Sequence, residues 1–183
     1  MKQIDSEILT RCQSGDKAAF HIVVQTYQQM VWSLALRMLC DEEEAKDATQ
    51  ETFIKVWVNI RSYDGSSSFS TWVYSIASRI CLDRMKKTKR LVPLPDDETV
   101  LREYATVNDP QRQLENGEWV AILRLLSDNL SDKQRLVFTL SHLEGLDSTE
   151  ISSITGMDAK QIKSNLYVAR QTIREQLKRL GYE

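Results

Sequence analysis

The chain has 183 residues, a net charge of −2 and a hydrophobic fraction of 42%, including four Trp, six Tyr and four Phe, which is enough apolar surface for packed cores and excludes a disordered chain. Six Gly and three Pro are too few for a turn-rich β-protein, and the abundance of Leu, Ala, Gln, Lys, Arg and Glu predicts helices almost throughout. No run approaches the roughly 18 apolar residues of a membrane span, and the opening MKQIDSEILTRCQSGD carries acids where a signal peptide needs an apolar stretch, so a cytoplasmic protein that is not itself a membrane protein is expected.

In chain order, Asp16 is placed to cap a helix whose apolar positions Phe20, Val23, Val24, Tyr27, Val31, Leu34 and Met38 recur every three or four residues. Asp41 with Glu44 has the spacing of a capping box and opens a second helix carrying Ala45, Ala48, Phe53, Val56, Trp57 and Ile60. The Asp, Gly and Ser run between Tyr63 and Ser68 reads as a loop, followed by a third helix from about Phe69 to Lys87 that ends in a basic cluster. Residues 91 to about 110 hold all three prolines and a group of acids with no sustained period, the pattern of a linker.

Beyond the linker, Ser131 with Gln134, Asp147 with Glu150 and Asp158 with Gln161 form three successive capping boxes. The first opens a helix bearing Leu136, Val137, Leu140 and Leu143 that stops at Gly145, and the second a short helix bearing Ile151 and Ile154 that stops at Gly156. The last helix lines Ile162, Leu166, Ala169, Ile173 and Leu177 along one side and leaves Lys160, Ser164, Tyr167, Gln171 and Arg174 opposite. A short helix, a tight glycine turn and a basic second helix make a helix-turn-helix.

The near-neutral total conceals an uneven distribution. Residues 79–90 carry six basic side chains against Asp83 alone, residues 158–180 carry six against Asp158 and Glu175, and residues 91–118 carry seven acids against two bases. Phosphate attraction follows local potential, so two basic faces can bind DNA on a mildly acidic protein. The chain therefore reads as all-α, with two small helical domains at 1–90 and 119–183 joined by a flexible acidic linker at 91–118.

A catalytic reading finds no support. Cys12, Cys40 and Cys81 are odd in number and widely spaced, without metal-ligand or disulfide-framework spacing. His21 sits beside apolar Phe20 and Ile22, His142 lies in a helix before Gly145, and there is no glycine-rich phosphate loop, so the expectation is no enzyme, no cofactor and no metal.

Asp47-Ala-Thr-Gln-Glu-Thr-Phe-Ile-Lys-Val-Trp57, Phe69-Ser-Thr-Trp-Val-Tyr-Ser-Ile-Ala77 and Gln161-Ile-Lys-Ser-Asn-Leu166 resemble signatures of bacterial sigma factors, and among these of the extracytoplasmic-function group. The resemblance runs from about Phe20 to Leu180 and omits only the linker. It implies an N-terminal region 2 domain that binds polymerase and melts promoter DNA, and a C-terminal region 4 domain that reads the upstream promoter element. Carried over residue by residue, the contact with the clamp helices of the largest subunit of core RNA polymerase falls on Asp47, Gln50, Glu51, Phe53, Lys55 and Trp57. Phe53 and Trp57, at helical spacing, are read as core more than contact.

The downstream-element reader and melting surface falls on Tyr63, Ser66, Ser67, Ser68, Phe69, Trp72, Tyr74, Arg79, Arg84, Lys86 and Lys87, a set offering stacking rings, a polar pocket and cations. Arg79 stands where many members of the family have Asn, which puts the usual downstream base preference in doubt. The upstream-element contacts fall on Lys160, Gln161, Lys163, Ser164, Asn165 and Tyr167, with Arg170 on phosphate. The family's common Lys-Ser-Arg is Lys163-Ser164-Asn165 here, which replaces a cation by an amide able to pair with adenine. The resemblance further implies an anti-sigma factor, often membrane-bound, as a second partner. A one-component helix-turn-helix regulator acting without polymerase is the alternative, and the clamp-helix signature is what separates the two.

Overall fold

The computed structural model describes residues 4–91 and 124–179; the linker proper lies outside the described residues. Asp5 caps α1 (Ser6–Gln13), and Asp16 caps α2 (Lys17–Leu39) by accepting hydrogen bonds from the Ala18 and Ala19 amides. α1 is absent from the sequence reading, although Asp5 followed by Glu7 is an N-terminal signal of the kind used elsewhere. Arg11 at the end of α1 donates to Asp16 with both Nε and Nη2, at 2.9 and 2.7 Å, which fixes the turn between the first two helices.

Asp41 opens α3 (Glu42–Asn59) through the Glu44 amide. The expected capping box is only half made, because the Glu44 carboxylate accepts instead from Arg84, 2.7 Å away on another helix. A short 3-10 turn (Ile60–Ser62) leads into the loop, and α4 (Phe69–Leu91) runs four residues further than its apolar pattern suggested. Tyr27 of α2 meets the ring of Phe69 at the start of α4, while α2, α3 and α4 close around Val23, Val31, Leu34, Val56, Val73, Ala77 and Ile80, all almost inaccessible to solvent. Cys40 ends α2 in the left-handed region at φ 52°, a conformation that L side chains adopt at some cost, and its buried position selects a small apolar residue there.

In the second half, Ser131 caps α5 (Asp132–Phe138) with a complete capping box. The helix expected to continue to Leu143 instead widens into a π-helical turn (Thr139–Leu143), with the Glu144 amide donating to the Thr139 carbonyl at 2.9 Å. Asp147 and Glu150 box α6 (Ser148–Thr155), which Gly156 ends at φ 71°. Asp158 and Gln161 make the third box at the head of α7 (Ala159–Arg179). Leu136, Leu140, Ile151 and Ile162 are the buried heart of this half.

The two halves are in contact, which the linker's composition does not disclose. α4 packs on α6, and the buried residues of both halves form one continuous apolar cluster. No helix among the described residues is long and apolar enough to cross a membrane.

Candidate nucleic-acid interface

Three surfaces collect the expected site residues. On α3 the buried stripe is Ala45, Ala48, Thr52, Phe53 and Val56, so the helical period turns Asp47 and Gln50 outward, and both are exposed. Phe53 is 8% exposed and Trp57 rests on Phe20 with ring centroids 4.8 Å apart, so these two aromatics pack inward. Glu51 is half-buried between Lys55 and Arg84, each 3.1 Å away. Burial opposes its ionisation, but the hydrogen bonds from Lys55 and Arg84 prevail and hold the carboxyl below its usual range. The same face exposes Ile54 and Val58, 64% and 69% accessible, which the sequence reading passed over. Their signal was available: two branched apolar residues one turn apart and off the buried stripe.

The loop before α4 is built from α1 upward. Gln13 donates to the carbonyls of Ile60 and Tyr63 at 3.2 and 2.9 Å, and Arg61 returns a bond to the Gln13 carbonyl at 3.1 Å. Asp64 turns the chain by accepting from the Ser66 amide, Tyr63 donates its hydroxyl to the Ser67 carbonyl at 2.7 Å, and Ser68 caps α4 through the Thr71 amide. The rings of Tyr63, Phe69 and Trp72 cluster at 5.1 to 5.5 Å, with Phe69 buried and the other two half-exposed at the loop. The loop is thus pinned at its base and offers two half-exposed rings beside the exposed Ser66 and Ser68.

On α4, Arg79, Lys86 and Lys87 are exposed, but two other expected members of this surface are not available to nucleic acid in this conformation. Tyr74 is 2% exposed and donates its hydroxyl to Glu144 at 2.7 Å. Arg84 is bound to Glu44 and Glu51, so a residue read as a DNA contact and one read as a polymerase contact are partners of each other.

On α7, buried Ile162 and Ala169 face inward and leave Lys160, Gln161, Lys163, Ser164, Tyr167 and Arg170 exposed on one side, with Asn165 half-exposed. Tyr167 is 68% accessible. Both amides have local backbone partners: the Gln161 oxygen accepts from the Asp158 amide at 3.0 Å, and Asn165 donates to the Gln161 carbonyl at 2.8 Å. Arg170 donates its Nε to His142 Nε2 at 2.8 Å. Burial, reinforced by the Arg170 charge, lowers the His142 pKa and keeps the imidazole a neutral acceptor. Among the described residues no group of His, Cys, Asp or Glu has the arrangement of a metal site. The chemistry on offer is therefore binding: an acidic and apolar helix face, a ring-and-hydroxyl loop beside cations, and a basic second helix of a helix-turn-helix.

Comparison with known proteins places two family regions along the chain. The family profile Sigma-70 region 2 matches residues 23–91, and Sigma-70, region 4 matches residues 121–173. Across 98% of its length the chain is 30% identical to the ECF RNA polymerase sigma factor SigW of Bacillus subtilis, all of which it covers. It is 29% identical to the RNA polymerase sigma-H factor of Pseudomonas aeruginosa over 96% of the chain and 95% of the relative. Two solved structures share the fold. CnrH, in complex with the cytosolic domain of CnrY, has a TM-score of 0.70 at 18% identity over 93% of this chain and 95% of that one. The sigma factor RpoE in complex with the anti-sigma factor NepR, from Bartonella quintana, has a TM-score of 0.67 at 21% identity over 87% of this chain and 96% of that one.

Proposed function

The chain belongs to the extracytoplasmic-function (ECF) sigma factors, and from that premise we propose how its own residues divide the work of promoter-directed transcription initiation. The observation that carries the proposal is the order of the two regions along one chain, with an exposed partner-binding helix face in the first and an exposed basic recognition helix in the second.

Region 2 docks on core RNA polymerase through the face of α3 that carries Asp47 and Gln50. Basic side chains on the clamp helices complement that acidity, and Ile54 and Val58 supply apolar contact within the same patch. Glu51 and Lys55 border it. Phe53 and Trp57 support the helix from within. Downstream promoter DNA meets the loop at residues 63–68 and the exposed side of α4. There Tyr63 and Trp72 offer faces for unstacked bases, the serine hydroxyls offer hydrogen bonds, and Arg79, Lys86 and Lys87 attract the displaced backbone. Region 4 reads the upstream element with the N-terminal turns of α7 in the major groove, Lys160 and Lys163 nearest the phosphates and Gln161 and Asn165 nearest the base edges. No covalent step is assigned to any residue. An anti-sigma factor is the second partner in this reading, supported by the likeness to folds solved with CnrY and with NepR.

Two experiments test the reading. Run-off transcription from a cognate promoter should require both this chain and core enzyme; specific transcripts formed without core enzyme would refute it. Native co-purification should return polymerase and, under non-inducing conditions, one further stoichiometric protein; repeated recovery of polymerase alone would remove the anti-sigma factor from the proposal.

A further inference from the structure

We propose that His142 is a positioning residue for the upstream promoter contact: as a neutral acceptor it turns the Arg170 guanidinium so that both Nη groups are free for a backbone phosphate, and its protonation withdraws that support, so that region 4 loses DNA affinity on acidification. The inference rests on the reading of Arg170 as a phosphate contact and adds to it a residue outside the recognition helix.

His142 lies in the π-helical turn, and Arg170 about three turns into α7. The imidazole is held from two sides. The ring of Phe138, at the end of α5, meets it edge to face with centroids 4.8 Å apart and planes at 75°, and Arg170 donates Nε–H to its Nε2 at 2.8 Å. A neutral imidazole that accepts at Nε2 keeps its own proton on Nδ1. The bond uses the Nε edge of the guanidinium and leaves both Nη groups without a partner among the described residues. Those two groups form the planar fork that matches a phosphate.

The neutrality of the acceptor is what suits it to this task. Arg11, Arg37, Arg84 and Arg135 each pair with a carboxylate, whereas Arg170 pairs with none among the described residues. A carboxylate in place of His142 would orient Arg170 as well but would cancel its charge toward DNA. A neutral ring orients it and leaves the charge whole. Arg170 also lines a shallow groove along α7 with Tyr167, Arg174 and Lys178, and Glu175 is the acid among them. Arg170, Arg174 and Lys178 recur every four residues, so a strand of phosphates laid in that groove meets cations one turn apart.

The charges packed around the turn leave the imidazole to Arg170. From α2, Arg37 is taken up by Glu144 and by the Leu143 carbonyl. From α5, Arg135 is bound to the Met38 and Ser127 carbonyls, and Asp132 and Lys133 stand at the far end of the helix from Phe138. From α6, Glu150 is taken up by the Asp147 amide. Burial first and the Arg170 charge second keep the ring neutral. Once protonated, both ring nitrogens are donors, so Nε2 no longer accepts and Arg170 faces a like charge. The guanidinium then swings free, and DNA must order it again. The imidazolium is itself a cation, but it stands on the Nε side of the guanidinium, away from the Nη edge that meets the phosphate. At that separation the attraction between exposed charges is weak and screened by salt, so the loss of order outweighs the gain of charge.

Anisotropy of holoenzyme on a labelled promoter carrying the upstream element, from pH 7.5 to 5, provides the test. At pH 7.5 His142→Ala should weaken binding about three- to tenfold, the effect of leaving one long side chain to be ordered on binding. His142→Gln, whose Oε1 accepts in the place of Nε2, should stay within about twofold of wild type. Toward pH 5 the wild type should lose about the same three- to tenfold relative to His142→Gln, which does not titrate; the ratio of the two removes the titrations of polymerase and DNA. In an Arg170→Ala background His142→Ala should have no further effect. Circular dichroism checks that the helices persist at each pH, and if His142→Ala loses them, the pH series of wild type against His142→Gln carries the test. Without DNA or polymerase, an NMR titration of the His142 ring in the free chain should shift upward in Arg170→Ala, since the neighbouring charge is gone. Full affinity of a folded His142→Ala, a wild type that holds or gains affinity relative to His142→Gln on acidification, a His142→Ala effect undiminished without Arg170, or an unshifted ring titration would each overturn the proposal. Undiminished binding by Arg170→Ala would instead overturn the phosphate reading, and the proposal with it.

Discussion

The exposed side chains of α7 divide into cations and amides, and the two kinds should fail differently when removed. Arg170→Ala deletes about one phosphate contact, so every upstream element should weaken alike and the salt slope should fall by roughly one unit. Asn165→Ala should cost on the order of 1–3 kcal/mol on the preferred element and far less on a variant at the contacted base pair. Fluorescence anisotropy of holoenzyme on matched and single-base-variant promoters at several salt concentrations separates the two; uniform losses for Asn165→Ala would remove it from the base-reading set. Arg170 has a second role through His142. Because the folded chain holds the His142 pKa below the ordinary 6.5, the unfolded chain takes up the proton more readily. Stability from this neutral imidazole is complete above about pH 6.5 and declines as pH falls below it, a slope that His142→Ala should flatten in denaturation midpoints taken from pH 7.5 to 5. On α3, Asp47→Ala with Gln50→Ala should weaken core binding and leave the melting temperature within about 1–2 °C, since surface changes seldom exceed 0.5 kcal/mol. Unchanged core affinity in a pull-down titration would show that this face is not the docking face.

At the scale of elements, the helix-turn-helix depends on how α6 is started and stopped. Gly156 ends α6 at φ 71° with no atom within 4 Å of where a Cβ would stand, so Gly156→Ala meets conformational cost without a clash. That cost is about 1–2 kcal/mol. Asp147 receives the Thr149 and Glu150 amides at 2.8 and 2.9 Å, and Asp147→Ala should cost about 1 kcal/mol. Urea denaturation should show both losses with an unchanged slope; equal stability of Gly156→Ala and wild type would mean that the turn relaxes to a right-handed form. α1 acts as a buttress instead: its Gln13 holds the carbonyls that begin the 63–68 loop, so the loop's shape is set from a helix some fifty positions away in sequence.

For the whole molecule, the shared apolar cluster and the contacts around Glu144 make the two halves one cooperative unit. Calorimetry of the wild type should therefore show a single transition whose calorimetric and van't Hoff enthalpies agree, and Glu144→Ala should resolve it into two. Two resolved transitions in the wild type would mean that each half unfolds alone. The buried thiols are chemically unreactive. Burial pushes Cys81 up to about 12 and raises Cys40 as well, so neither is a thiolate at neutral pH, and alkylation of the folded chain should be slow at both.

The sequence by itself determined whatever is encoded within a turn or two of helix. The caps at Asp16, Ser131, Asp147 and Asp158, the stops at Gly145 and Gly156, the exposed faces of Asp47 and Lys163 and the inward aromatics Phe53 and Trp57 all follow from spacing and from the chemistry of one residue beside its neighbours. The family signatures were legible for the same reason, as short contiguous strings. Only the tertiary structure decided which charges are free. Glu44 leaves its capping box for Arg84, Arg84 and Glu51 pair with each other, and Tyr74 turns from a candidate stacking ring into a donor for Glu144. Each of these partners lies 33 or more positions away in the chain, and an ion pair or buried hydrogen bond at that separation has no period and no local signature. The π-helical turn that precedes Glu144 is of the same kind: it has no local sequence signature, and it packs against α2, a helix about a hundred positions away.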